Sequence, residues 1–178
     1  MTKIEVNNQE EFDACVAAGN IAIVINCSVE AKGSSSVVAM ENSNVKAKDN
    51  SSVVAMERSH VEAWGNSHVE SYGNSHVVAY GNSHVVAMER SSVVAMERSR
   101  VVAWGKSSVE AWGNSNVKAM GNSFVEAWGN SSVEASGNVF IRFFSALKIT
   151  ASLSVVILKH HQSEIIEGGR QIYLIKDN

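Results

Sequence analysis

The chain lacks proline altogether and has only two cysteines and two threonines in 178 residues. Without proline, every backbone N–H stays available for a continuous β-ladder. Cys15 and Cys27 are too few to staple a chain of this length, and they read as small buried hydrophobes. With Thr2 and Thr150 as the whole threonine inventory, a flat ice-binding face built on repeated threonine is set aside. Strong charge of one sign is missing too. A net charge of −3 indicates neither a polyanion-binding surface nor an acidic nucleic-acid mimic. No stretch is long and apolar enough to span a bilayer.

What the chain does have is a repeat. Residues 33–136 divide into 13 consecutive octads with no insertion and no gap, as in Gly73-Asn74-Ser75-His76-Val77-Val78-Ala79-Tyr80. The third position is Ser in all 13, the fifth is Val in all 13, and the seventh is Ala in 12, with Ser71 the exception. A short period of this fidelity indicates a repeat architecture. Invariant positions three, five and seven alternate with variable positions four, six and eight, the period of a half-buried strand. The variable set includes Lys46, Glu62, Glu70, Arg100 and Lys118, and unpaired charges are not buried, so Ser, Val and Ala face inward. The seryl hydroxyl can bond a neighbouring layer or a turn carbonyl. Positions one and two form a corner, most often Gly-Asn, which tolerates positive φ. Where Glu57-Arg58 or Glu89-Arg90 stands instead, a different turn is expected.

One strand plus one corner is half of a flattened coil, which predicts two octads per turn; a triangular coil of three octads is the alternative. Sorting position eight by alternate octads separates Lys48, Trp64, Tyr80, Met96, Trp112 and Trp128 from Met40, Met56, Tyr72, Met88, Trp104 and Met120, and this favours two faces. The predicted fold is all-β: a parallel, two-sided β-solenoid of about nine coils, roughly 40 Å long at strand spacing. Residues 1–20 read as a strand-helix cap, 21–160 as the solenoid and 161–178 as a C-terminal hairpin cap.

In the first cap, Lys3-Ile4-Glu5-Val6 is a strand candidate. Asn8 with Glu11 makes a capping box for a helix over Gln9–Ala18 that buries Phe12, Val16 and Cys15 and ends at Gly19. Octad register read backwards places Ile21, Ile23, Ile25 and Cys27 inward. Beyond the repeats the inward set enlarges to Val139, Ile141, Phe143, Leu147, Ile149, Ala151, Val155 and Ile157. The run Ile165-Ile166-Glu167-Gly168-Gly169-Arg170-Gln171-Ile172 predicts a hairpin, followed by Tyr173-Leu174-Ile175. Both ends would then shield open ladder edges.

The octads resemble the octapeptide-repeat β-solenoid proteins of bacteria and phages. Those chains repeat Val-x-Ala-Tyr/Trp-Gly/Asp-Asn/Ser-Ser/Ala-x after a short strand-helix start. The resemblance covers roughly residues 20–140. It implies a β-solenoid and a prophage or mobile-element setting, and it brings no catalytic residue. Met1-Thr2-Lys3-Ile4-Glu5 runs directly into polar residues with no secretory leader, so a cytoplasmic location is expected, or the host-cell cytoplasm for a phage product.

Three sets of residues are candidates for function. His60, His68, His76 and His84 recur at position four; a coil of two octads stacks them in two pairs that could share a metal or titrate together, although position four accepts polar residues generally. Trp64, Tyr80, Trp112 and Trp128 line one edge of one face as a partner or ligand surface, for a protein or for a glycan or base. Glu62, Glu110 and Glu126 stand beside those tryptophans and no basic stripe accompanies them, so nucleic acid is disfavoured. The opposite face carries Val38/Met40, Val54/Met56, Val86/Met88 and Val102/Trp104, interrupted by Glu70/Tyr72, and reads as a homodimer interface. No octad carries an insertion that could build a pocket, so the reading is a non-enzymatic protein without cofactors. It presents a rigid surface as a structural or assembly component, or else acts as a small inhibitor docking an unidentified host protein complex.

Overall fold

The computed structural model describes residues 1–144, 148–151, 156–159 and 166–167. Each octad forms one short strand, because β-branched Val between two small inward residues fits a pleated, half-buried surface. The chain alternates between two sheets, and every paired neighbour is parallel. The first sheet holds, in spatial order, β1 (Lys3–Val6), β2 (Ile21–Ile25), β4 (Ser36–Met40), β6 (Ser52–Ala55), β8 (His68–Ser71), β10 (His84–Ala87), β12 (Arg100–Ala103), β14 (Asn116–Gly121), β16 (Ser132–Gly137), β18 (Lys148–Ala151) and β20 (Ile166–Glu167). The second holds β3 (Ser28–Ala31), β5 (Asn44–Ala47), β7 (His60–Ala63), β9 (His76–Ala79), β11 (Ser92–Ala95), β13 (Ser108–Ala111), β15 (Phe124–Ala127), β17 (Phe140–Phe143) and β19 (Val156–Lys159). Val85 pairs with Val101 and Val101 with Val117, so one coil is two octads and the molecule is the two-sided β-solenoid expected.

Between the sheets lies a narrow core of stacked Val, Ala and Ser. From Val37 to Ala135 the inward Val and Ala of the repeats are all buried, and so are the serines of position three. The serines use both kinds of acceptor anticipated. Ser51 Oγ donates to Lys48 O across the turn at 2.7 Å, and Ser83 Oγ reaches Ala63 O in the preceding coil at 3.1 Å. Ser71, in place of Ala, bonds Ser75 Oγ at 2.7 Å. One hydroxyl breaks the rule: among the described residues, buried Ser107 Oγ alone has no partner.

The corners depart from expectation. Glu41, Asp49, Glu57, Glu89 and Glu97 adopt φ of 58–60°, the same left-handed conformation as the glycines at equivalent corners, so Glu-Arg does not select a different turn. At three of these corners the strain of a side chain is offset by what the carboxylate does. Gly73 N–H donates to Glu89 Oε2 at 3.0 Å and Gly81 N–H to Glu97 Oε2 at 3.1 Å, each from one coil back, and Asp49 serves Gly33 N–H alike at 3.0 Å. The inter-coil backbone bond is kept as well, with Lys106 N–H donating to Glu89 O at 2.7 Å.

At the N-terminus β1 pairs with β2, and helix α1 (Gln9–Ala17) lies where the next strand of the second sheet would be. Asn8 accepts from Glu11 N–H at 2.9 Å, and the Glu11 carboxylate accepts from Asn7 N–H at 2.9 Å. Phe12 and Cys15 are buried, with Val16 partly so. Gln9 closes the ladder: Glu30 N–H donates to its Oε1 at 2.7 Å, and its Nε2 donates to Glu30 O at 3.0 Å. One side-chain amide thus replaces a missing peptide group at the edge of β3.

The inward assignment of Ile21, Ile23 and Ile25 is corrected. Ala22 and Val24 fill the core, and the three isoleucines face outward, half-buried. Ala22 pairs with Val37 whereas Ser28 pairs with Asn44, so the first offset falls short of two octads by a single residue and the second does not. A one-residue slip turns every side chain of a strand to its other face. Cys27 lies after the short corner and keeps the inward side, its Sγ 3.5 Å from Val6 O. Both cysteines are free thiols.

At the other end Val139, Ile141, Phe143, Ile149 and Ala151 are buried, as the enlarged inward set requires. Leu147, Val155 and the side chain of Ile157 lie outside the described residues. Of the expected hairpin, only Ile166–Glu167 is described, as β20 running parallel to β18. The remainder, with Tyr173-Leu174-Ile175, also lies outside the described residues. No helix among the described residues is long and apolar enough to cross a membrane.

Candidate interaction surfaces

The outward positions form columns, because side chains one coil apart stand about 4.8 Å from each other. On the first sheet, position six runs Val38, Val54, Glu70, Val86 and Val102 in direct register. Two residues further along, Met40 ends β4, and Met56, Tyr72, Met88 and Trp104 stand one residue beyond their strands. The first sheet therefore brings together every residue of the expected homodimer interface. The outward turn of β2 adds Ile23 beside Val38 and Ile25 beside Met40. Sequence reasoning missed this extension because the short first corner hid the parity. Trp104 is 47 % exposed, the most open tryptophan of the chain.

The patch has one polar island. Tyr72 OH donates to Glu70 Oε2 at 3.0 Å, and His68 Nε2 lies 3.8 Å from Glu70 Oε1. The bond to Glu70 is the main reason the Tyr72 phenol is held above its ordinary pKa, with burial adding to it. Beyond the patch, Lys118 and Glu134 pair at 3.4 Å.

The second sheet presents a different face. Its position-six column carries ion pairs near both ends, Lys46–Glu62 at 3.8 Å and Arg142–Glu126 at 3.5 Å, with Val78, Val94 and Glu110 between them. Solvated pairs of this kind contribute little each. Along its edge the predicted aromatics do assemble. Trp64 stacks on Tyr80 at 4.0 Å and Trp112 on Trp128 at 4.2 Å, with Met96 between the two stacks in sequence order. Phe144 extends the column, 4.5 Å from Trp128. It stands two octads after Trp128, a signal that coil arithmetic alone could have found. The rings lie nearly parallel, within 12°. Trp128 has rings against both faces and each of the other four against one. A sugar or base needs a free face to stack on, and the mutual stacking takes up at least one face of each ring.

His60 and His76 stack at 5.0 Å on the second sheet, and His68 and His84 at 5.1 Å on the first. Face-to-face imidazoles send their in-plane lone pairs in parallel instead of toward one point, a poor arrangement for a shared metal. Among the described residues no three His, Cys, Asp or Glu side chains gather as a metal site. Burial, and secondly the neighbouring His60, lowers the pKa of His76; burial, then His68 and Arg100, lowers that of His84.

Two shallow depressions flank α1. One of about 460 Å³ is lined by Gln9, Phe12, Asp13, Val16, Glu30 and Lys32 among others. The other, of about 400 Å³, includes Ile4, Val6, Glu11 and Cys15. Burial raises the pKa of the Cys15 thiol, away from the reactive thiolate form. Compared with protein families, curated proteins and solved structures, the chain matches no family model, no curated protein and no solved structure.

Proposed function

We propose that this chain is a non-catalytic repeat protein that presents a rigid, patterned surface for protein–protein contact, and that its first partner is a second copy of itself. One observation carries the reading: the outward apolar patch from Ile23 to Trp104 on the first sheet, set against a second sheet whose outer face carries ion pairs near both ends. Exposed apolar surface of several hundred Å² marks interfaces. Six rungs at about 4.8 Å, each roughly 18 Å wide, present about 500 Å² per copy, so a pair would bury about 1,000 Å², the size from which stable association is expected. Such a particle serves as a structural or assembly component of the phage or mobile-element kind.

A second reading, a small inhibitor that docks a host protein complex, is favoured by the Gln9 amide and α1. They block addition of a strand to the second sheet and so support a finite oligomer over a filament. Sedimentation of the wild type across a concentration series, beside the Val54→Glu/Val86→Glu double variant, tests the self-association. A dimer that becomes a folded monomer in the variant is expected. A wild type that stays monomeric, or a variant of unchanged mass, overturns it.

A further inference from the structure

We propose, resting on the self-association above, that the two copies pack antiparallel, first sheet to first sheet, with β8 on the two-fold axis and Glu70 facing Glu70. The patch is symmetric about that rung. Counting outward from Glu70/Tyr72, Val54/Met56 matches Val86/Met88, and Val38/Met40 matches Val102/Trp104. A two-fold axis along the strands reverses the order of rungs, so each of these pairs meets its match on the second copy. Ile23 then meets Lys118 of the second copy, beside its own copy's Glu5, and the contact acquires a charged rim around the apolar rungs that flank Glu70. Seven rungs from β2 to β14 enlarge the buried area to about 1,200 Å² in total, the lower end of standard interfaces.

The competing arrangement has its two-fold axis along the solenoid. With that axis passing through position six it also places Glu70 on Glu70, but it lays position eight of one copy on position four of the other. Met40 would then rest on Ser36 and Trp104 on Arg100, while Lys118 would face Lys118. The antiparallel arrangement instead lays Met40 on Trp104 and Met56 on Met88. Apolar matching favours it over that register. In either arrangement two carboxylates meet at the centre, a like-charge contact that costs affinity.

Met40 and Trp104 lie at the margin of the patch, within reach of a reagent. In a Cys27→Ser background, Met40→Cys mixed with Trp104→Cys is expected to cross-link with a short bis-maleimide, and neither variant alone. Cross-linking of Met40→Cys with Ser36→Cys instead establishes the parallel arrangement and overturns the proposal. Absence of both cross-links in a protein that still sediments as a dimer also overturns it while leaving the self-association intact; a monomeric protein sinks both. A separate measurement bears on the axis. Glu70→Gln removes the central repulsion and is expected to lower the dimer Kd about ten-fold or more. An unchanged Kd in a dimeric protein refutes the place of Glu70 on the axis.

Discussion

Ser107 and Ser83 occupy the same position of the repeat, are both fully buried, and should respond to alanine with opposite signs. Ser83 Oγ donates toward Tyr80 O and Ala63 O. Those carbonyls also accept backbone N–H groups, Tyr80 O from Ser83 N at 3.3 Å and Ala63 O from Tyr80 N at 2.8 Å. Ser83→Ala therefore strands no acceptor and loses only the net value of its hydrogen bonding, about 1 kcal/mol. Ser107 Oγ has no partner, so the folded state carries the desolvation cost of a bare hydroxyl, about 1–3 kcal/mol. Ser107→Ala removes that cost, partly offset by a void smaller than a methyl group, for a net gain of about 1 kcal/mol. Because both substitutions make the same covalent change in the same local conformation, propensity and unfolded-state effects cancel between them. The expected gap is about 2 kcal/mol, or roughly 1 M in urea midpoint for an m-value near 2 kcal/mol/M. Urea titration followed by circular dichroism and tryptophan fluorescence, at one fixed protein concentration, reads it. If Ser107→Ala is destabilised as much as Ser83→Ala, the orphaned hydroxyl is not a feature of the folded protein, and the reasoning from hydrogen-bond accounting fails.

Two further predictions concern the corners and the imidazoles. At Glu89 (φ 59°), glycine relieves left-handed strain of about 1 kcal/mol while losing the carboxylate bond to Gly73 N–H, so Glu89→Gly should be nearly neutral. Glu89→Ala keeps the strain and loses the bond, and thermal unfolding should place it about 1 kcal/mol below Glu89→Gly; equal stabilities would show that the corner is not strained. His76 and His84 have pKa values lowered by folding, so the unfolded chain binds more protons between their folded values and the ordinary imidazole value of about 6.5. Stability should therefore fall as pH drops below that value and level off once the folded values are passed. Replacing both residues by Asn should flatten this part of the profile in urea titrations from neutral to mildly acid pH, and an unchanged slope would assign it to other groups.

The solenoid was legible because its two rules are local. Inward Ser-Val-Ala follows from period two and the cost of burying Glu62 or Lys118, and the two-octad coil follows from sorting Trp64 from Met56. What escaped the sequence was parity and compensation. At Ile21-Ala22-Ile23-Val24-Ile25 all five residues are apolar, so hydrophobicity cannot say which three face out, and the answer depended on one absent corner residue. At Glu57 and Glu89 side-chain type argued against positive φ, yet at Glu89 the carboxylate repays the strain through a peptide group one coil away. That contact is invisible to any local window. The residues of the proposed interface share one face because their spacing is a multiple of the coil. Their extension to Ile23 failed for the same reason the parity did.

The sequence repeats every octad, but the molecule repeats every second one, and its two faces differ. Inserting or deleting a single octad would keep every strand, corner and buried valine in place. It would also move all later side chains to the opposite sheet, cutting the apolar patch in two and mixing Trp with Met along each edge. Insertions of two octads leave both faces whole. Such a chain can lengthen by duplication without relearning how to fold, but its surface survives only an even count, so the heritable unit of function is the pair and the unit of folding is its half.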